Sequence, residues 1–369
     1  MKKIKLGIIG AGVISNVHFK NASELENVEV SAVCDINSDR AEKAASEYGA
    51  KAFTDYKDMF ASGVCDSVLI ATPHYQHTEV GIAALEAGLH VLVEKPISVH
   101  KADCERLINA HKDKSLVFAA MFNQRTDPKY KKIKSIIESG QLGEMVRVNW
   151  IVTDWFRTHA YYGSGSWRAT WHGEGGGVLL NQCPHQLDLL QWLTGMPSKV
   201  CAFCRFGAKH DIEVEDEVTA YLEYANGASG VFITSTGEAP GTNRLEICGE
   251  MGKIVVENDS VRFYRNEVGS LEFSRSTSEG FAKPEIWDIN IPVLGSGGQH
   301  REILENFAEA ILDGKPLIAP AEEGLHSVEL ANAMLYSSLK GTVVELPLDS
   351  KDFEKELDKL IKQSKFYKG

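Results

Sequence analysis

The stretch Ile4-Lys5-Leu6-Gly7-Ile8-Ile9-Gly10-Ala11-Gly12-Val13-Ile14-Ser15 decides the fold. Its first six residues form an apolar run of strand length, the pattern of a strand buried on both faces. Gly10 permits a tight turn and Gly12 lets the backbone approach a pyrophosphate. A helix following the turn would present its free amides and positive dipole end to the phosphates. Serine stands where a third glycine or alanine is common, and it too is small. A lone glycine pattern is weak evidence, but the next strand, Val28–Cys34, strengthens it. That strand ends in Asp35, 23 residues past Gly12, where a carboxylate can take the hydroxyls of an adenine-side ribose. The same charge disfavours a 2′-phosphate, so the expected cofactor is NAD rather than NADP. Arg40 lies close enough in sequence to soften that preference.

Outward from this turn, Ser67–Ala71, His90–Val93 and Val117–Met121 read as further buried strands. Ser38–Tyr48, Thr78–Ala87 and Ala102–Lys112 carry helical spacing. The alternation predicts an α/β, doubly wound dinucleotide-binding domain over residues 1–122. From residue 123 to 369 the grammar changes. Val146–Thr153, Lys199–Phe206, Glu217–Tyr224, Ala228–Thr236, Arg244–Cys248 and Lys253–Glu257 read as strands without helices between them. Asn226-Gly227 is a type I′ hairpin signal. Helices are expected at Lys129–Ser139, Leu179–Leu193, Arg301–Asp313, Glu322–Lys340 and Lys351–Gln363. This second α/β domain, built on a mainly antiparallel sheet, is expected to pack closely on the first with the active cleft between them.

The net charge of −12 comes without any lysine- or arginine-rich run. It argues against nucleic acid or an anionic membrane surface as partner and favours a small neutral substrate. No apolar run reaches the roughly 18 residues of a membrane span. Met1-Lys2-Lys3 before an apolar stretch imitates a signal peptide, but glycines interrupt the stretch and it runs straight into the turn motif. A cytoplasmic protein is expected. Seven scattered cysteines read as reduced thiols. The single C-x-x-C, Cys201 to Cys204, lacks the second pair of a four-cysteine zinc site; its cysteines are expected to be buried strand residues, with no metal.

Two segments suggest chemistry. Ala71-Thr72-Pro73-His74 ends one strand at the carboxyl edge where ligands sit, and the next strand ends in Glu94-Lys95-Pro96. Beside an oxidised nicotinamide the Lys95 ammonium would be disfavoured by like charge. It could then exchange a proton with a substrate hydroxyl as hydride leaves the same carbon. Taken alone, a lysine before proline also reads as a surface residue. Gly175-Gly176-Gly177 looks like a hinge entering a helix on which Asn181, His185 and Asp188 share one face. The plainer reading is a helix start with an ordinary hydrogen-bonded histidine.

Together these segments resemble the Gfo/Idh/MocA oxidoreductase family over essentially the whole chain. The match also takes in Asn123-Gln124-Arg125 and Trp167-Arg168, and Glu94-Lys95-Pro96 is its most specific marker. The resemblance implies a Rossmann domain followed by an α/β domain with a large open sheet, paired sheet-to-sheet into homodimers or homotetramers. It implies that Lys95 is the catalytic lysine and that His185 holds the place of an acid/base histidine. Many family dehydrogenases carry aspartate four residues before that histidine. Here the position holds Asn181, which can orient a hydroxyl but cannot supply negative charge to the imidazole. The expected cofactor-binding set is Gly10, Gly12, Val13, Ile14, Asp35, Arg40, Thr72, Pro73, His74, His77, Glu94, Lys95, Asn123 and Gln124.

Asp154–Trp171 is rich in aromatic and basic groups suited to a pyranose ring or an aglycone. Trp155, Tyr161, Tyr162 and Arg168 are candidate substrate contacts, with Asn181 and Asp188, and with His300 after Gly297-Gly298. The expected reaction is NAD-dependent oxidation of a secondary hydroxyl of a sugar, polyol or glycoside to a ketone, C3 of a glucoside being the preferred case. Two alternatives stand beside it: a glycosidase using transient oxidation and elimination, and a non-catalytic nucleotide-binding regulator.

Overall fold

A computed structural model describes residues 2–165, 167–364 and 366. The chain divides into two compact units. The first runs through Thr126 and adds His172–Gly175 and Gly297–Glu329; the second holds Asp127–Trp171, Gly176–Ser296 and the chain from Leu330 onward.

The first unit is built on β1 (Ile4–Ile9), β2 (Val28–Cys34), β3 (Lys51–Phe53), β4 (Ser67–Ile70), β5 (His90–Val93) and β6 (Phe118–Ala120). All pairings are parallel, in the order β3-β2-β1-β4-β5-β6. Helices on both faces bury the central strands completely, which is why Leu6, Ile8, Val68, Leu69, Val91 and Leu92 form near-continuous apolar runs. The helices are α1 (Ser15–Ser23), α2 (Ser38–Tyr48), α3 (Tyr56–Ala61), α4 (His74–Glu86) and α5 (Lys101–Ala110). Asn37 caps α2 through Arg40 N, and Gly49 ends it in the left-handed conformation. The edge strand β3 and the six-residue α3 are too short to show a period, and the linear reading passes over both.

The linear reading places Arg301–Asp313 in the second domain. The structure sets this helix, α10 (Gln299–Asp313), in the first unit. Its apolar face of Ile303, Leu304, Phe307 and Ala308 belongs to the same core as Ile8, Phe19 and Val93. The strand order reverses direction between β1 and β4, so ligands are expected at the carboxyl ends of those two strands.

The second unit carries β7 (Met145–Val152), β8 (Lys199–Phe206), β9 (Glu215–Glu223), β10 (Ser229–Ser235), β11 (Asn243–Gly249), β12 (Gly252–Glu257), β13 (Ser260–Asn266), β14 (Ile286–Ile291) and β15 (Val344–Glu345). They form one sheet in the order β14-β13-β12-β11-β7-β10-β9-β8-β15. Strands β7 and β10 run parallel and the other pairs antiparallel. One face buries Val148, Trp150, Val218, Leu222, Phe232 and Leu245, while Phe203 and Tyr221 on the other stand 72% and 48% exposed. The helices are α6 (Pro128–Glu138), the short α7 (His159–Tyr162), α8 (Pro184–Thr194), α9 (Ser270–Ser276) and α12 (Ser350–Gln363); α11 (Gly324–Lys340) begins in the first unit and ends in the second. Among the described residues no helix is long and apolar enough to cross a membrane.

Three local expectations need correction. The Asn226-Gly227 turn is not type I′. Tyr224 N bonds Ala228 O and Gly227 N bonds Tyr224 O, with positive φ at Gly227 but not at Asn226. This is a three-residue loop with glycine in the left-handed position. The two-residue turn with both central residues at positive φ lies instead at Asn258-Asp259, between β12 and β13. Second, the helix expected from Leu179 starts only at Pro184, because residues 176–183 are turns held by other groups. Third, Cys201 and Cys204 lie on a strand as expected, but both are half-buried rather than buried. Three apart on β8, they point to opposite faces and cannot act as a pair.

Candidate active site

Within the first unit, the carboxyl ends of the strands gather the expected cofactor residues. Gly10 leaves β1 at φ +94°, and a Cβ there would stand 2.6 Å from the carbonyl oxygen of Ala71 at the end of β4, so only glycine fits. A Cβ on Gly12, by contrast, would meet nothing within 4 Å, which leaves open the space a pyrophosphate needs. Asp35 accepts from Ala11 N and Asn37 N, both at 2.8 Å, one through each oxygen. Each oxygen keeps a further lone pair, so the carboxylate shapes the turn and can still take ribose hydroxyls. Val13 and Ile36, flanking this region in sequence, are 87% and 96% exposed and offer bare apolar surface. Ile14 is also exposed, and Arg40 is exposed on α2.

Thr72 Oγ1 and Asn123 Oδ1 are buried and find no hydrogen-bond partner among the described residues. Orphaned polar atoms at the carboxyl ends of β4 and β6 are the kind that a bound ligand satisfies. The residues present therefore fit a dinucleotide. Pro73 is exposed and Gln124 half-buried, whereas His74 and His77 are buried. His77 is a positioning group rather than a cofactor contact. Its ring lies 2.8 Å from both the Thr72 and the Pro96 carbonyl oxygens and so ties the two strand-end loops together. Burial lowers its pKa, against the pull of those carbonyls, and a neutral ring donates to one of them at a time.

The Glu94-Lys95 element has a buried foundation that sequence reasoning missed. Glu94, only 6% exposed, places Oε1 2.7 Å from Nε2 of His18 on α1, while its Oε2 accepts from Lys95 N at 3.0 Å. Burial pushes the Glu94 carboxyl up. The hydrogen bond and charge of His18, with Lys95 and His300 beyond, outweigh burial and hold it at about 2. His300 stacks edge-on against His18 at 5.7 Å between ring centroids. Burial lowers its pKa, with Glu94 opposing and His18 and Lys95 reinforcing. His300 thus belongs to the first unit and to the Glu94 cluster. The only sequence signal for this cluster was a histidine three residues past Ser15, on the buried face of α1.

Within the second unit, the block expected to hold substrate is shaped by Glu215, which sequence reasoning also missed. Its buried carboxylate accepts from Gly177 N and Leu179 N at 2.8 and 3.0 Å. A Cβ at Gly177 would stand 2.0 Å from the Glu215 carbonyl oxygen, so that approach requires glycine. Asn181 lies in the turn before α8, not on it, and the shared helical face holds only for His185 and Asp188. Asn181 and His185 are half-exposed. Asp188 is 1% exposed and accepts from Gln191 Nε2 at 3.1 Å.

Tyr161 is central to the aromatic segment. Its hydroxyl donates to Asn181 Oδ1 at 3.2 Å and accepts from Arg168 Nη1 at 2.9 Å and Gln182 Nε2 at 3.2 Å. That exhausts the capacity of a phenol, so Tyr161 can meet a substrate only through its ring. Tyr162 is a core residue: it is 8% exposed, bonds Thr236 Oγ1 at 2.9 Å and packs on His210. Trp155 is half-buried.

Residues 4–122 match the family described as oxidoreductase family, NAD-binding Rossmann fold, and residues 130–255 match the GFO/IDH/MocA C-terminal domain. The chain is 28% identical to levoglucosan dehydrogenase of Pseudarthrobacter phenanthrenivorans, over 94% of this chain and 99% of that one. It is 26% identical to myo-inositol 2-dehydrogenase of Thermotoga maritima, over 69% and 75% of the two chains. Among solved structures, the WlbA dehydrogenase from Bordetella pertussis in complex with NADH and UDP-GlcNAcA superposes with a TM-score of 0.80 at 27% identity, covering 94% of this chain and all of the other.

Proposed function

This chain belongs to the Gfo/Idh/MocA oxidoreductase family, and from that premise we propose that it oxidises a secondary hydroxyl of a sugar, polyol or glycoside to a ketone, with C3 of a glucoside as the specific case. The observation that carries the reading is Lys95, set at the carboxyl end of β5 on a buried, ionised Glu94 that is bonded to the first helix of the dinucleotide fold. The dehydrogenases for levoglucosan and inositol named above support a carbohydrate substrate.

NAD, when bound, accepts the hydride. The chain's own residues position and deprotonate the alcohol. Gly12 and the α1 amides hold phosphate oxygens, and Asp35 takes the ribose hydroxyls. Lys95 accepts the hydroxyl proton at Nζ, and Asn181 and His185 orient the sugar, with the amide at 181 bonding a hydroxyl without adding charge. The outward apolar side chains Phe203 and Tyr221 support a homodimer or homotetramer formed through the large sheet. A monomer in sedimentation velocity would remove that part of the reading.

The deciding experiment follows NADH absorbance and product mass with polyols, free sugars, O-glycosides and C-glycosides. Ketone and NADH in equal amounts support the dehydrogenase. Aglycone release without net NADH points to the glycosidase, and no turnover across the panel points to the regulator. In the same assay kcat/KM with NAD is expected to exceed that with NADP by tenfold or more. Asp35→Ser is expected to narrow that ratio by about tenfold, since one repelling charge is worth about 1.4 kcal/mol or more. A wild-type preference for NADP would overturn the Asp35 assignment.

A further inference from the structure

Several arginines in this acidic chain are neutralised by a carboxylate. Arg125 pairs with Glu323, Arg147 with Glu246, Arg244 with Glu257 and Arg262 with Asp288. Arg157 and Arg168, like Arg40, Arg265, Arg275 and Arg301, have no carboxylate within ion-pair reach among the described residues, but their setting differs. Each is instead held on aromatic rings. The Arg168 guanidinium lies 4.7 Å from the ring centroids of both Tyr161 and Trp167. Arg157 lies 5.1 Å from Tyr161 and 5.4 Å from Trp155. Two cations thus lie against one tyrosine ring, and each guanidinium carries more N–H donors than its hydrogen bond uses.

The cluster is also short of acceptors. Trp155 Nε1 and Arg157 Nε, which can only donate, are buried with no partner among the described residues. Arg168 gives one bond to the Tyr161 hydroxyl, and Arg157 gives one to its neighbour's carbonyl, Phe156 O, at 3.0 Å. Two half-buried like charges with surplus donors call for a ligand that brings negative charge and several oxygens. The Tyr161 hydroxyl ties this cationic cluster to Asn181, the residue assigned to orient a sugar hydroxyl. A ligand spanning the two is a sugar with an anionic arm.

We propose that Arg157 and Arg168 form an anion seat beside Asn181, and that the natural substrate is a sugar derivative bearing a carboxylate or a phosphate. This replaces the neutral substrate expected from net charge, because the overall charge of −12 says nothing about a local cationic cluster. The inference rests on the dehydrogenase reading for its chemistry but not for its binding.

The test uses matched ligands: a methyl glucoside, the corresponding glucuronide and glucose 6-phosphate. Binding to the NADH-loaded full chain is measured by calorimetry, and turnover with NAD by absorbance. One anion is expected to bind about 10- to 100-fold more tightly than the neutral glucoside at low salt, as charge-assisted bonds allow. The advantage should shrink as salt is raised, and which anion wins separates carboxylate from phosphate. Arg157→Gln and Arg168→Gln should each collapse the anion-to-neutral ratio, and Arg168→Lys should restore part of it. Because the ratio is the readout, a general loss of activity cannot mimic the result. Equal binding of neutral and anionic ligands, no binding of either anion at millimolar concentration, or a ratio that survives both substitutions overturns the proposal. Preferential anion binding without NADH formation would leave the seat standing and overturn the dehydrogenase reading. NADH formed equally from all three would do the reverse.

Discussion

Lys95→Met is expected to lower kcat for alcohol oxidation by about 10²- to 10⁴-fold, the usual worth of a positioned proton acceptor. Methionine keeps the length and apolar stem of lysine and deletes only the amine. The loop should hold its shape, because Glu94 Oε2 binds the main-chain nitrogen of residue 95. His77 likewise fixes the neighbouring carbonyl of Pro96 through its ring. The dissociation constant for NAD, measured by fluorescence titration, should therefore move by less than about threefold while kcat collapses. A variant that binds NAD normally and turns over at the wild-type rate would sink the assignment of Lys95 as base. A parallel loss of NAD binding would mean that the side chain holds the cofactor instead.

Glu94→Gln carries the second large effect, on stability. Both partners of the His18–Glu94 contact are buried, and His18 is completely so. Replacing the carboxylate by an amide weakens a buried hydrogen-bonded contact whose other member has no solvent to turn to, at a cost of about 1–3 kcal/mol. Its pH dependence has a definite sign. The Glu94 carboxyl sits at about 2 in the fold against an ordinary 4.5, so the folded state favours the ionised form. That contribution is complete above about pH 4.5 and fades as pH falls towards 2. The gap between wild type and Glu94→Gln in urea unfolding should narrow as pH falls below about 4.5. A gap that widens on acidification, or one under about 1 kcal/mol at neutral pH, would show that the carboxylate is not held ionised by its neighbours.

Much of this was legible in the chain. The bounds of β1, β2, β5, α2 and β8 follow from apolar runs and helical spacing. Those signals act within a few residues of one another. Gly10, Gly12 and Asp35 were readable for the same reason: strand, turn and helix are consecutive, and the geometry they need is local. Where the linear reading slipped, a distant group had won. Leu179–Leu193 carries helical spacing throughout, yet the Glu215 carboxylate captures the Gly177 and Leu179 amides and postpones the helix to Pro184. Tyr162 looked as suited to a sugar as Tyr161 until Thr236 and His210 claimed it for the core.

The sequence by itself determined the class of fold, the dinucleotide turn and the lysine at the end of β5, because each is written in consecutive residues whose backbone needs are short-range. Only the tertiary structure decided what surrounds them. It put His18 against Glu94, 76 residues away. It drew α10 and His300 into the first unit and gathered two arginines without acid partners onto one tyrosine. Burial and charge pairing depend on which segments meet when the core forms, and that meeting leaves no period in the chain to read.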